Sequence, residues 1–229
     1  MFIIFLGSIL GSVYFIYYLP DGYFCTMNNF NILQEIIIDR RSIKPASLNG
    51  KKIDDGQIRQ LLELANWAPT HGLTEPWRFV VYSGDAVPEF CRQQADIYRN
   101  ATPPEKFNAT KYDKQLHNGD NASHLIAVYM QKGANPNLPA LEEICATAAA
   151  VQNILLGAQA LGIAVLWSTG GNVLLPEMKE YLGLGEADIM IGLLSLGYTD
   201  EPARPGRRSA AAGRPGGAGG WTCRSRWGP

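Results

Sequence analysis

From position 28 onward the apolar residues follow two alternating rhythms. Phe30, Ile32, Leu33, Ile36 and Ile37 recur at three- and four-residue spacing, which predicts a helix over residues 28–39. Ile58, Leu61, Leu62 and Ala65 repeat that spacing after Asp54 and Asp55, either of which is a good N-cap. Ala68-Pro69 stops this second helix near Trp67, because a residue before proline is pushed out of helical geometry. Residues 77–82 (Trp-Arg-Phe-Val-Val-Tyr) read as a strand, and Asp85 caps a helix through Arg99. Residues 100–121 are polar, with Pro103, Pro104 and many Asn and Lys, and read as an irregular excursion or lid. The pattern then gives an apolar strand over 125–130, a long helix over 141–161, a short buried strand over 163–167, a helix over 176–182 opened by Pro176, and a final strand over 189–196.

The 141–161 helix is apolar on nearly every side, which marks a buried helix. Its alanines would let a second helix approach closely, as at a subunit interface. Helices alternating with a few strands around one central helix make the domain α+β or α/β. No internal repeat is present. GxGxxG after a strand and GxxxxGK[ST] are both absent, which argues against a Rossmann or P-loop enzyme.

Composition divides the chain into three zones. Residues 1–26 form an apolar extension, with no charge before Asp21 and no Lys or Arg at all. Its run of about 19 residues is just long enough for a membrane span, but it lacks the basic start of an export signal. A membrane anchor, an export signal, and upstream sequence joined through a misassigned start all remain open. The last is favoured because the domain pattern begins cleanly at Met27, and it makes the protein cytoplasmic; a genuine anchor would tether it to a membrane. Residues 27–202 form the domain. Residues 203–229 are rich in Gly, Pro, Ala and Arg without an acidic residue and read as a disordered tail.

The 229-residue chain has a formal net charge of -1, so nothing global suggests a nucleic-acid partner. Cys25, Cys91, Cys145 and Cys223 lie far apart, and His71, His117 and His124 have no metal-ligand spacing, so neither a disulfide framework nor a metal centre is expected.

Three segments are candidates for chemistry. In Arg40-Arg41-Ser42-Ile43-Lys44-Pro45, an extended backbone would turn Arg40, Ser42 and Lys44 to one side, a mixture of charge and directional donors that suits a phosphate. Spacing alone leaves a basic helix end complementing its dipole as the simpler explanation. In 68–79 a helix stops at Pro69, a polar loop carries His71, and Pro76 leads into an aromatic strand. Such a loop can present amides and side chains over a flat ligand. Leu166-Trp167-Ser168-Thr169-Gly170-Gly171 ends a buried strand with hydroxyls and glycines that permit close backbone approach.

Taken in order, Arg-Arg-Ser-Ile-Lys, Ala-Pro-Thr-His…Glu-Pro-Trp-Arg-Phe, the Ala-rich helix ending Ala160-Leu161-Gly162-Ile163, and Leu166-Trp167-Ser168-Thr169-Gly170 resemble the nitroreductase superfamily across about residues 28–200, nearest to its small, minimal-type NAD(P)H nitroreductases. The resemblance implies an α+β fold with a central mixed sheet wrapped by helices and a long buried central helix. It also implies a homodimer with FMN bound noncovalently at the interface and NAD(P)H as electron donor. Electrons would pass to a small organic acceptor such as a nitroaromatic, a quinone or an enone, with no catalytic side chain. Arg40, Arg41, Ser42 and Lys44 would meet the FMN phosphate and ribityl chain. Trp67 and His71 would supply first-loop contacts, and Trp167, Ser168 and Thr169 would lie beside the ring. Arg207 or Arg208 would match a basic residue that the family often adds after the last strand. Two departures stand out: Glu75 replaces the family's common Gln, and the tail replaces an ordered extension. The rival reading is a noncatalytic or assembly-defective flavin-binding relative.

Overall fold

In a computed structural model of the chain, residues 3–5, 15–18, 24–170, 172–202 and 205–206 are described. The first strands, β1 (Ile3–Phe5), β2 (Phe15–Tyr18) and β3 (Phe24–Met27), form an antiparallel sheet of their own. The 1–26 zone therefore does not end where regular structure begins, since β3 runs across that boundary. Among the described residues no helix is long and apolar enough to cross a membrane.

The main sheet has the order β4-β5-β7-β6, from β4 (Trp77–Ser83), β5 (His124–Met130), β6 (Ala164–Ser168) and β7 (Ile189–Gly197). Every neighbouring pair is antiparallel. Among the described residues, the expected mixed sheet is realised only as one isolated parallel bridge, Ser42 to Val165, on the β6 edge. Helices cover both faces, so the central strands are apolar on both sides. Ile126, Val128 and Met130 of β5 join a core with α2 (Asp55–Asn66) and α5 (Ala140–Ala160), while Leu125 and Ala127 join a second core with α3 (Ala86–Ala101) and α6 (Pro176–Tyr181).

The helix ends show why these segments fold locally. The Asn28 side chain accepts from the Asn31 N–H at 2.9 Å and starts α1 (Asn29–Asp39). Asp54 accepts from the Gly56 N–H at 2.8 Å and starts α2. Asp85 stands at the N-cap of α3, but its side chain makes no capping bond. The C-terminus of α5 closes on Gly162, whose φ of +69 suits a residue without a Cβ. There the Ile163 N–H donates to Ala158 O at 2.8 Å and the Gly162 N–H to Gln159 O at 3.1 Å. This turn satisfies the last carbonyls of α5 and sends the chain straight into β6.

Two expectations change. Residues 100–121 are not irregular throughout: they contain α4 (Ala109–Leu116), packed on α3. Asn108 caps α4 by accepting from the Lys111 N–H at 3.0 Å, the Tyr112 hydroxyl donates to Asp96 at 3.0 Å, and Phe107 stacks on Tyr98. Polar and aromatic contacts of this kind carry no hydrophobic periodicity. The second change concerns α5. Leu141, Cys145 and Gln152 are exposed and Ala148 and Leu156 half-buried, so one helical stripe of α5 stays open. Beside it, α1 lies against α5 but buries none of its own residues, leaving Phe30, Leu33, Ile37 and Ile38 exposed.

Candidate functional site

The Arg40–Lys44 segment leaves α1 in extended geometry. Lys44 has φ -69 and ψ 148, as Pro45 behind it requires. The Ile43 N–H donates to Val165 O at 3.1 Å, which lays the segment along β6. Arg41, Ser42, Ile43, Lys44, Ser47 and Glu201 line a pocket of about 290 Å³. One guanidinium, one ammonium and two hydroxyls around such a pocket are the donor set of a phosphate site; the Glu201 carboxylate also lines it. Arg41 donates to Ile38 O at 2.5 Å and to Arg40 O at 2.9 Å, so it also serves the carbonyls at the end of α1. Arg40 is half-buried and does not line the pocket.

Past Val165, β6 runs on to Trp167 and Ser168. Trp167 is half-buried, and its indole donates to Ile191 O at 3.1 Å. The Ser168 hydroxyl donates to Leu193 O at 3.4 Å. Thr169 and Gly170 are exposed, and a Cβ on Gly170 would meet nothing within 4 Å, so a ligand has room to approach the backbone there. The Arg-Ser-Ile-Lys segment thus lies along the strand whose far end is the Trp-Ser-Thr-Gly segment.

The third segment goes elsewhere. Trp67 is the C-cap of α2 and is 78% exposed. His71 Nδ1 stands 2.5 Å from Glu142 Oε2, in the first turn of α5. Pro69, Thr70, His71, Leu141, Glu142, Cys145 and Ala146 line an open, mostly apolar pocket of about 530 Å³. The loop is held tightly: Thr70 Oγ1 accepts from the Glu75 N–H at 3.3 Å, and Arg78 donates to Glu75 O at 2.7 Å. Leu73 and Glu75 both have positive φ, +52 and +42, backbone strain of the kind that collects at ligand-binding loops. Glu75 itself is exposed.

Sequence reasoning missed Ser47, Glu201 and Glu142. Glu142 carries a weak signal as an acid in the first turn of a long helix; Ser47 and Glu201 carry none. Arg207 lies outside the described residues. Gly206, just before it, passes so close to Arg41 that a Cβ there would stand 2.6 Å from Arg41 Nη2.

The nitroreductase family model matches residues 37–198, spanning all three segments. The chain belongs to the nitroreductase family. Among this nitroreductase's relatives is a Bacillus subtilis protein, YfhC, provisionally named an NAD(P)H nitroreductase; it is 26% identical over 188 residues, covering 80% of this chain and 92% of the relative. A nitroreductase-like family protein from Bacillus cereus has a solved structure that matches with a TM-score of 0.67 at 27% identity, covering 77% of this chain and 90% of that one. The fold is also shared with the FMN-dependent nitroreductase NfnB of Mycobacterium smegmatis, solved in complex with NADPH. That match has a TM-score of 0.58 at 18% identity over 77% of this chain and 93% of NfnB.

Proposed function

We propose that this nitroreductase is an FMN-dependent oxidoreductase that takes electrons from NAD(P)H and passes them to a small organic acceptor such as a nitroaromatic, a quinone or an enone. Family membership supplies the oxidoreductase class. The observation that carries the cofactor assignment is the Ser42–Val165 bridge, which lays the basic Arg-Ser-Ile-Lys segment along β6, the strand that leads into Ser168, Thr169 and Gly170. Bound FMN would supply the redox chemistry, moving a hydride from donor to acceptor.

The chain's own residues bind and orient. Lys44, Ser42 and Ser47 ring the phosphate pocket, with Arg41 on its wall. Glu201 on the same wall disfavours an anion, so the balance of charge there rests on Lys44, Arg41 and the basic residue expected at Arg207. Thr169 and Gly170 offer backbone N–H groups to the electron-rich edge of a reduced ring.

The acting unit in this reading is a homodimer. His71 reaches the first turn of α5, whereas the phosphate segment lies near that helix's other end, where Gln159, Gly162 and Ile163 share a cleft with Arg41 and Ile43. Glu142 and Gln159 are about 26 Å apart along α5 at 1.5 Å of rise per residue. A second copy running the other way along the open α5 stripe would bring its Trp67 and His71 to this chain's phosphate pocket. It would also cover Phe30, Leu33, Ile37 and Leu141, large apolar side chains that this chain leaves exposed.

The test is spectroscopic. The full chain purified and incubated with FMN should be yellow, dimeric by light scattering, and bleached by NADPH or NADH under anaerobic conditions. A colourless monomer that FMN cannot reconstitute would favour the noncatalytic, assembly-defective reading instead.

A further inference from the structure

The last strand changes face part-way along. Ile189 and Ile191 face α5 at its start, yet beyond Gly192 that role passes to Leu194 and Leu196. The cause is a β-bulge: Val128 pairs with Gly192 and Tyr129 with Met190, so Ile191 is skipped. Gly192 has φ +150. A Cβ built there would stand 2.4 Å from Trp167 Nε1 and 2.8 Å from both Trp167 Cδ1 and Ser168 O. No side chain fits where the indole rests. The skipped Ile191 supplies the carbonyl to which Trp167 Nε1 donates at 3.1 Å, and Leu193 supplies the one that faces the Ser168 hydroxyl. Three successive residues of β7 thus hold the end of β6.

We propose that Gly192 is a positioning residue of the cofactor site: its bare Cα gives the Trp167 indole a seat on β7, and the seated indole sets the direction in which Ser168, Thr169 and Gly170 leave the sheet. This rests on the functional reading above, in which residues 167–170 border the flavin. Trp167 and Ser168 are the last residues of β6 paired with β7, opposite Leu194 and Leu193. An indole lifted off its seat therefore pulls on the backbone immediately before the ligand-facing loop. Gly157 offers a comparison: a Cβ there would stand 2.6 Å from Leu64 Cδ1 and 2.9 Å from Leu61 Cδ2, against side chains of α2 rather than β6.

A double-mutant cycle on the full chain with FMN tests this. Gly192→Ala is expected to weaken FMN binding at least tenfold in the natural background, and by a clearly smaller factor, at least threefold less, when Trp167→Val has already removed the ring. The remainder reflects the Ser168 carbonyl and the φ of Gly192, both unfavourable to a Cβ with or without the ring. Equal losses in both backgrounds, or none in either, would overturn the proposal. Gly157→Ala should leave FMN affinity within threefold, whatever its effect on the melting temperature; a loss matching that of Gly192→Ala would reduce the effect to general destabilisation. A second readout needs neither FMN nor a folded Gly192 variant. In the apo chain the Trp167 indole N–H, assigned by its disappearance in Trp167→Val, should exchange with solvent at least tenfold more slowly than that of exposed Trp67. Equal exchange would show that the seat is not occupied. A natural chain that binds no FMN would defeat the functional reading and leave the indole result to be judged alone.

Discussion

Ser42 bridges to Val165 near the C-terminal end of α5, while His71 meets Glu142 at the first turn of the same helix. The helix works as a spacer. Its C-terminal turn through Gly162 sends the chain into β6, the strand that receives Ser42, and its N-terminus receives the loop after α2. Two groups of residues expected to share one ligand are thereby held a helix length apart within one chain, and the exposed stripe between them is where a second chain would lie.

Loss of the ammonium at the pocket proposed for the FMN phosphate gives the simplest prediction. Lys44→Ala should weaken FMN binding by about tenfold, as expected for one charge-assisted contact of ~1.5 kcal/mol. Arg40→Ala, at a side chain outside the pocket lining, should change affinity by less than about threefold on the same scale. Fluorescence titration of FMN at low and high salt checks both, and salt should narrow the difference.

Adjacent glutamates on α5 should behave very differently. Glu143 is buried; its Oε1 accepts from the Gly133 N–H at 2.9 Å and its Oε2 stands 2.7 Å from Lys132 Nζ, an ion pair off the hydrogen-bonding direction. Lys132 also donates to Leu138 O at 3.0 Å. Removing the ammonium strands the buried carboxylate, so Lys132→Ala should cost roughly 3–5 kcal/mol in urea unfolding, and Glu143→Ala, which leaves Lys132 its Leu138 carbonyl, somewhat less. The His71–Glu142 pair is largely exposed, and solvent screening limits Glu142→Ala to about 1 kcal/mol or less.

Alkaline stability should carry the signature of Cys91. Burial, with the Asp120 carboxylate adding to it, pushes this thiol from 9.0 up to about 11, against a backbone hydrogen bond at Gly119 that pulls it down. Between those values the unfolded chain has released the proton and the folded chain still holds it. Stability from this group is therefore full below about 9 and falls as pH rises toward about 11. Burial and the neighbouring Tyr181 also hold the Tyr82 phenol above its ordinary 10.0, so the interval just above 9 isolates Cys91. Urea midpoints across that interval should fall in the natural chain and stay flatter in Cys91→Ala. The same thiol should resist alkylation in the folded protein.

The hydrophobic pattern made most of the domain readable because apolar periodicity is what the two cores record. Leu61 and Ala65 of α2, Ile126 and Val128 of β5, and Ile154 of α5 are all buried where the spacing placed them. α4 escaped because Tyr112, Asn108 and Lys111 hold it through polar and ring contacts. The β7 bulge escaped because a continuous apolar run looks the same in or out of register. At the site, the residue types of the Arg-Ser-Ile-Lys segment pointed to an anion, but the side each residue faces was not legible: Arg41 lines the pocket and Arg40 does not. The separation along α5 was also hidden, since sequence order says nothing of which end of a helix a loop returns to.

The most direct measurement of the shared-site account is complementation between two impaired chains, at an FMN concentration that saturates only the natural site. Lys44→Ala and His71→Ala proteins, each weak in FMN binding and NAD(P)H oxidation, are unfolded, mixed and refolded together, and activity is read against each refolded alone. If every site takes Lys44 from one chain and His71 from its partner, each heterodimer holds one site with both residues intact, and the mixture regains a substantial share of natural activity. If both residues serve the same site within one chain, no heterodimer has an intact site, and the mixture stays at the level of its components, contradicting the account.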